Sequence, residues 1–189
     1  FDFSLPPLLR GGLIIAFILL FGWLLSGGGK DVTSLYKTPE AQARLMEIYD
    51  EKMTEWPVPY EDIFLETSYG TIHVIASGDP ANTPMLLLHA SGVAGWSWKF
   101  NAAGLSEEYR IYAIDLIGDV GKSEFASLDH TLQTDKDQAD LYREISEQLS
   151  APQAYVVGAS DGGFIASNYA RFYPERVEKL ALLGPMGYA

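Results

Sequence analysis

The run Ala154-Tyr155-Val156-Val157-Gly158-Ala159-Ser160-Asp161-Gly162-Gly163 decides how this chain is read. Ala154–Ala159 is a short apolar strand of the buried kind. Phe164, Ile165, Ala166, Tyr169, Ala170 and Phe172 then recur at helical spacing until Tyr173-Pro174 ends the pattern. Between strand and helix lies Gly-x-Ser-x-Gly-Gly. A backbone that turns this sharply lifts its serine above the sheet edge and holds it in a strained conformation. Gly158 and Gly162 lack the Cβ atoms that would collide across such a turn. The helix starting near Asp161 aims free N–H groups and its positive end at the serine, where an oxyanion would form. The plainer reading is a Gly-rich turn with an incidental serine. The strand before it and the helix after it weigh against that.

The 189 residues suffice for one domain with a proper core, and 48% apolar content suits a globular fold. A formal charge of −12 argues against nucleic acid as a partner, since phosphate contacts need a basic surface. With no cysteine there is no disulfide, no thiolate nucleophile and no Cys-based metal site. His73, His89 and His130 lie far apart and show no metal-ligand spacing, so no metal or organic cofactor is expected. The chain opens on Phe1 and stops at Ala189 directly after a strand-like run, and reads as a fragment cut at both ends.

Residues 1–30 form a separate segment. Gly11–Gly29 carries no charge, and its centre, Leu13–Leu25, is almost wholly apolar. A helix rising 1.5 Å per residue over that run just crosses a hydrocarbon core of about 30 Å. Trp23 stands where an interfacial aromatic would sit. A single-pass membrane anchor through residues 11–25 is therefore the expectation. The rival is a cleaved secretory signal, with Arg10 in its n-region and cleavage near Ser26–Gly28, which would leave a secreted protein. A Gly-rich joint follows at Ser26–Lys30, and residues 31–60 read as a helical linker. Its helix is expected over Thr38–Met53, with Thr38 as N-cap and Ala41, Leu45, Ile48 and Tyr49 on one face.

From residue 61 to 189 the pattern changes. Ile63–Thr67 and Thr71–Ala76 alternate as two strands of a hairpin around Ser68-Tyr69-Gly70. Met85–Leu88 is a solid apolar strand, Gly104–Glu108 closes a short helix, and Arg110–Leu116 is a further strand. Leu132–Leu149 is an amphipathic helix and Val177–Leu183 a last strand. An antiparallel pair followed by alternating strand and helix implies an α/β fold, its sheet mostly parallel with helices on both faces.

Taken in order, these motifs resemble the α/β-hydrolase superfamily from about Glu61 to Ala189. Leu86-Leu87-Leu88-His89-Ala90-Ser91-Gly92 stands in the place of its His-Gly oxyanion loop. Ile114-Asp115-Leu116-Ile117-Gly118-Asp119-Val120-Gly121-Lys122-Ser123 stands in the place of its D-x-x-G-x-G-x-S loop. The elbow, Tyr173-Pro174-Glu175-Arg176-Val177 and Leu182-Leu183-Gly184-Pro185 follow in the family's order. Ala90 departs from the usual glycine.

The resemblance implies that Ser160 is the nucleophile, with the backbone N–H groups of Asp161 and Ser91 as oxyanion donors. It implies that His89 positions its loop and is not the base. Some relatives use an aspartate nucleophile, but only Ser160, not Asp161, sits between Gly158 and Gly162-Gly163. Gly121-Lys122-Ser123 does not complete a phosphate-binding loop, because Leu116 occupies the place of its first glycine; it reads as loop near the mouth of the site. Trp96, Trp98 and Phe100 are either an acyl pocket or core of the first helix. No histidine follows Ser160, whereas in this fold the acid and base come later in the chain. The expected protein is a membrane-anchored serine hydrolase acting on a small-molecule carboxylic ester, with acid and base beyond residue 189. A non-catalytic scaffold or binding protein of the same fold is the alternative.

Overall fold

The computed structural model describes residues 35–187, and the expected span at 11–25 lies outside them. Among the described residues, no helix is long and apolar enough to cross a membrane.

In chain order the elements are α1 (Pro39–Met53), β1 (Tyr60–Glu66), β2 (Gly70–Ser77), β3 (Thr83–Leu88), α2 (Lys99–Ser106), β4 (Tyr109–Ile114), β5 (Glu124–Phe125), α3 (Asp135–Gln148), β6 (Ala154–Ala159), α4 (Asp161–Phe172) and β7 (Val177–Leu183). One 3₁₀ turn, Gly95–Trp98, precedes α2 and another, Pro174–Arg176, precedes β7. The described strands form one mixed sheet in the order β1-β2-β4-β3-β6-β7, with the short β5 against β2. Strands β4, β3, β6 and β7 run parallel, while β2 pairs antiparallel with β1, β4 and β5.

Side-chain alternation divides the core into two halves. Leu86 and Leu88 of β3, Tyr112 and Ile114 of β4 and Val156 of β6 face α3 and α4, meeting Leu141, Ile145, Ile165 and Tyr169. Met85, Leu87, Ile111 and Ala113 face the other way, against Tyr49 and Met53 of α1, Trp98 and Ala102. Helices thus cover both faces, and the strands buried on both sides are the near-continuous apolar runs seen in the sequence.

Several element boundaries differ from the sequence reading. Helix α1 is capped by Thr38, whose side chain accepts from the Ala41 N–H at 3.1 Å. However, it turns Tyr49 and Met53 to the core and leaves Ala41 and Ile48 exposed, because the stripe that meets the sheet lies further round. Helix α2 runs Lys99–Ser106 and ends within the Gly104–Glu108 stretch expected to close it. Helix α3 begins at Asp135, where Thr134 and Asp137 bond each other's backbone N–H groups in a capping box and stop the chain from coiling earlier.

Candidate active site

Ser160 joins β6 to α4 with φ 51° and ψ −112°. A non-glycine residue held there costs roughly 1–3 kcal/mol, so the surroundings must impose it. They do so through the backbone. The Ser160 N–H donates to the Leu183 carbonyl at 3.0 Å, and the Ser160 carbonyl accepts from Gly163, Phe164 and Met186 at 3.0, 3.2 and 3.0 Å. The two glycines permit the approach. A Cβ on Gly158 would lie 2.2 Å from the Gly162 carbonyl oxygen, and one on Gly162 would lie 2.3 Å from that of Leu88. The Ser160 hydroxyl makes no hydrogen bond among the described residues and stays available for chemistry.

Ser91 and Asp161, 70 positions apart in sequence, border one cavity of about 190 Å³. Leu116, Asp119, Gln138, Tyr142 and Ile165 complete most of its wall. Neither the Ser91 nor the Asp161 backbone N–H is bonded among the described residues, so both remain open to a ligand. Asp161 is the first residue of α4, where the helix dipole adds positive potential. Burial, then the charge of Asp161, pushes the Tyr142 hydroxyl well above its ordinary value and keeps it neutral.

His89 holds the loop that carries Ser91. Its Nε2 accepts from the Leu116 N–H at 2.9 Å, so the proton sits on Nδ1, which donates to the Ala90 carbonyl at 2.8 Å. An imidazole spent on two backbone groups is no general base. His73 is fully buried with its two nitrogens on Asp62 and Asp115, at 2.7 and 2.9 Å. His130 stacks on Tyr69 with ring centroids 5.1 Å apart. Neither contacts Ser160. Among the described residues, no group of carboxylates and imidazoles converges to hold a metal ion.

Other residues lie away from where the sequence suggested. Ser123 is buried, its Oγ donating to the Asp115 carbonyl at 2.7 Å and accepting from the His73 N–H at 2.9 Å. Lys122 pairs with Asp50 of α1 at 2.8 Å and lies over the Tyr49 ring. Both serve packing rather than the mouth of the site. Trp98 belongs to the core, Trp96 packs against it, and Phe100 is 86% exposed, so none of the three lines the cavity. Two carboxylates whose roles sequence reasoning missed organise the loops. Asp115 accepts from the Gly95 and Lys122 N–H groups at 2.7 and 2.8 Å as well as facing His73. Asp119 accepts from the Gly92 N–H.

Residues 83–189 match the alpha/beta hydrolase fold family. The chain belongs to that family. As an α/β-hydrolase it is 34% identical over 142 residues to the uncharacterized carboxylesterase nap of Bacillus subtilis, a match covering 75% of this chain and 46% of that protein. It is 32% identical over 146 residues to carboxylesterase YbfK of the same organism, covering 77% and 48%. The crystal structure of naproxen esterase from Bacillus subtilis superposes with a TM-score of 0.74 at 32% identity, covering 79% of this chain and 51% of that one. The chain thus spans about half the length of these relatives.

Proposed function

We propose that this α/β-hydrolase cleaves carboxylic esters through an acyl-enzyme on Ser160. One observation carries the reading. Ser160, its hydroxyl unbonded among the described residues, is held at φ 51° at a helix start directly before Asp161. Asp161 and Ser91 line a cavity that Ser160 itself does not line, and the N–H groups of both lining residues are unbonded among the described residues. The carboxylesterase relatives support the same chemistry. Ser160 Oγ attacks the ester carbonyl carbon while a base takes its proton. The two N–H groups stabilise the alkoxide of the tetrahedral intermediate. Collapse expels the alcohol, and water then attacks the acyl-serine to release the acid and restore the hydroxyl. His73, His89 and His130 are all otherwise engaged, so we assign the base and its orienting acid to parts of the protein outside these 189 residues.

The cavity sets a charge preference. Asp119 and Asp161 both border it, and neither forms an ion pair among the described residues. A neutral ester fits there better than one bearing a carboxylate. Residues 11–25 are proposed to anchor the protein in a bilayer. In alkaline carbonate extraction an anchored protein stays in the membrane pellet, and a soluble product starting after Ser26–Gly28 establishes secretion instead.

A fluorophosphonate probe tests the central claim. In the full-length protein it should label Ser160, and Ser160→Ala should abolish the label. Labelling that survives this substitution refutes the assignment.

A further inference from the structure

Resting on the ester-hydrolase reading, we propose that Asp119 is a positioning residue that aims the oxyanion-binding N–H of Ser91. In a trans peptide the N–H points opposite the carbonyl of the preceding residue, so the Ala90–Ser91 plane sets the direction of the Ser91 N–H. His89 holds that plane from its carbonyl side, through the 2.8 Å bond from Nδ1 to the Ala90 oxygen. The next plane, Ser91–Gly92, is held from its N–H side. The Gly92 N–H lies 3.1 and 3.0 Å from Asp119 Oδ1 and Oδ2. Ser91 therefore hangs between two peptide planes, each fixed at one edge, and its φ and ψ have little room to vary.

Nothing else among the described residues does the work of the second anchor. Ser91 and Gly92 are exposed, and Gly92, at φ 79°, has open space where a Cβ would stand. With no packing around it, a peptide plane next to a glycine in the left-handed region rotates freely unless bonded. The carboxylate is itself immobilised, because Asp119 Oδ1 also accepts from the Val120 N–H at 2.7 Å. Both anchors of the oxyanion loop come from the segment that follows β4: Leu116 orients His89, and Asp119 holds Gly92.

A carboxylate beside an oxyanion carries a cost, since the two negative charges repel. Its presence is explained by the bonds it makes, and this yields a discriminating pair of variants. The Oδ1 position serves both Gly92 and Val120, whereas Oδ2 serves Gly92 alone. An asparagine with its carbonyl at the Oδ1 position keeps one acceptor for both donors and drops the charge, but it sets its NH₂ 3.0 Å from the Gly92 N–H and so holds that peptide plane less firmly than aspartate. Alanine keeps no acceptor.

The test is steady-state kinetics of the full-length protein on a neutral p-nitrophenyl ester, with active sites titrated by fluorophosphonate. Removing one oxyanion donor outright costs about 10²–10³ in kcat, and misaiming one costs part of that. Asp119→Ala should lower kcat by roughly 10- to 100-fold with KM within about twofold, because the N–H bonds the transition state rather than the substrate. Asp119→Asn, which retains one acceptor, should lose at least about threefold less kcat than Asp119→Ala. Amide exchange at Gly92, followed by NMR, should accelerate at least about tenfold in the alanine variant and clearly less in the asparagine one. A wild-type kcat for Asp119→Ala, a loss confined to KM, or equal damage by Asn and Ala overturns the proposal while Ser160 labelling leaves the hydrolase reading intact. Failure of the wild-type protein to label at Ser160 overturns both.

Discussion

Replacing Asp115 should separate a carboxylate that organises the site from one that merely fills space. Asp115 is fully buried and faces three donors: the Gly95 N–H at 2.7 Å, the Lys122 N–H at 2.8 Å and His73 Nδ1 at 2.9 Å. Asp115→Ala strands the buried Gly95 N–H and His73 nitrogen, while the half-buried Lys122 N–H can turn to water. At about 1–3 kcal/mol for each unsatisfied buried group, the loss is roughly 2–6 kcal/mol, comparable with the whole stability of a small domain. The alanine variant should accumulate as unfolded or aggregated protein. Asp115→Asn with its carbonyl at the Oδ2 position keeps an acceptor for Lys122 and His73 but turns an NH₂ toward the Gly95 N–H. One donor–donor conflict should cost about 1–3 kcal/mol and leave a folded protein. Urea titration followed by tryptophan fluorescence reads both, since Trp56 and Trp98 are buried in the same half of the core. An alanine variant within about 1 kcal/mol of the wild type would show that these bonds are replaced by water and hold nothing. Equal losses for Asn and Ala would refute the donor count.

Gly162→Ala should destabilise by about 3 kcal/mol or more, because its Cβ meets the Leu88 and His89 carbonyl oxygens at 2.3 and 2.5 Å and backbone cannot swing aside. Gly104→Ala is the matched control: it lies in α2 with nothing within 4 Å and should gain about 0.5–1 kcal/mol in the same urea assay. Burial, then the charge of Asp115, raises the Tyr49 phenol far above its ordinary value, and Tyr142 is raised likewise. Folding favours the neutral phenols, so their contribution is complete below about pH 10 and is lost as pH rises beyond it. Urea midpoints should fall between about pH 9.5 and 11, less steeply for Tyr49→Phe; parallel slopes would refute the assignment. Finally, a neutral ester should have a higher kcat/KM than an isosteric ester bearing a carboxylate near the scissile bond. Asp161→Asn should narrow that ratio, and an unchanged ratio counts against the cavity as the binding site.

How much of this could be read from the residues alone follows from the range of each interaction. The elbow was legible because everything that makes it is local: a strand, two glycines that cannot carry a Cβ, and a helix start within a few residues. The two-sided burial of β3, β4 and β6 showed as uninterrupted apolar runs. The stripe of α1 that meets the sheet did not, since Leu45, Ile48 and Tyr49 share a helical face and only the packed neighbours decide which turns inward. Trp96 and Trp98 were ambiguous for a related reason: an aromatic pair after a loop looks the same whether it meets substrate or core. The bonds of Asp115 to Gly95 and of Asp119 to Gly92 join segments 20 and 27 residues apart. Their loop was recognisable by its spacing, but nothing in that spacing says which amide each carboxylate will hold.

The restraints on Ser160 are all made to its own N–H and carbonyl, and none passes through its side chain. Position 160 therefore behaves as a mount indifferent to its cargo. A short unbranched side chain such as cysteine or aspartate can sit at φ 51° with the framework undisturbed, whereas valine or isoleucine cannot. A lineage carrying this turn can exchange one nucleophile for another in a single substitution, without first rebuilding the sheet, the helix or the loops that hold an oxyanion. One architecture can in this way come to host reactions that share no substrate.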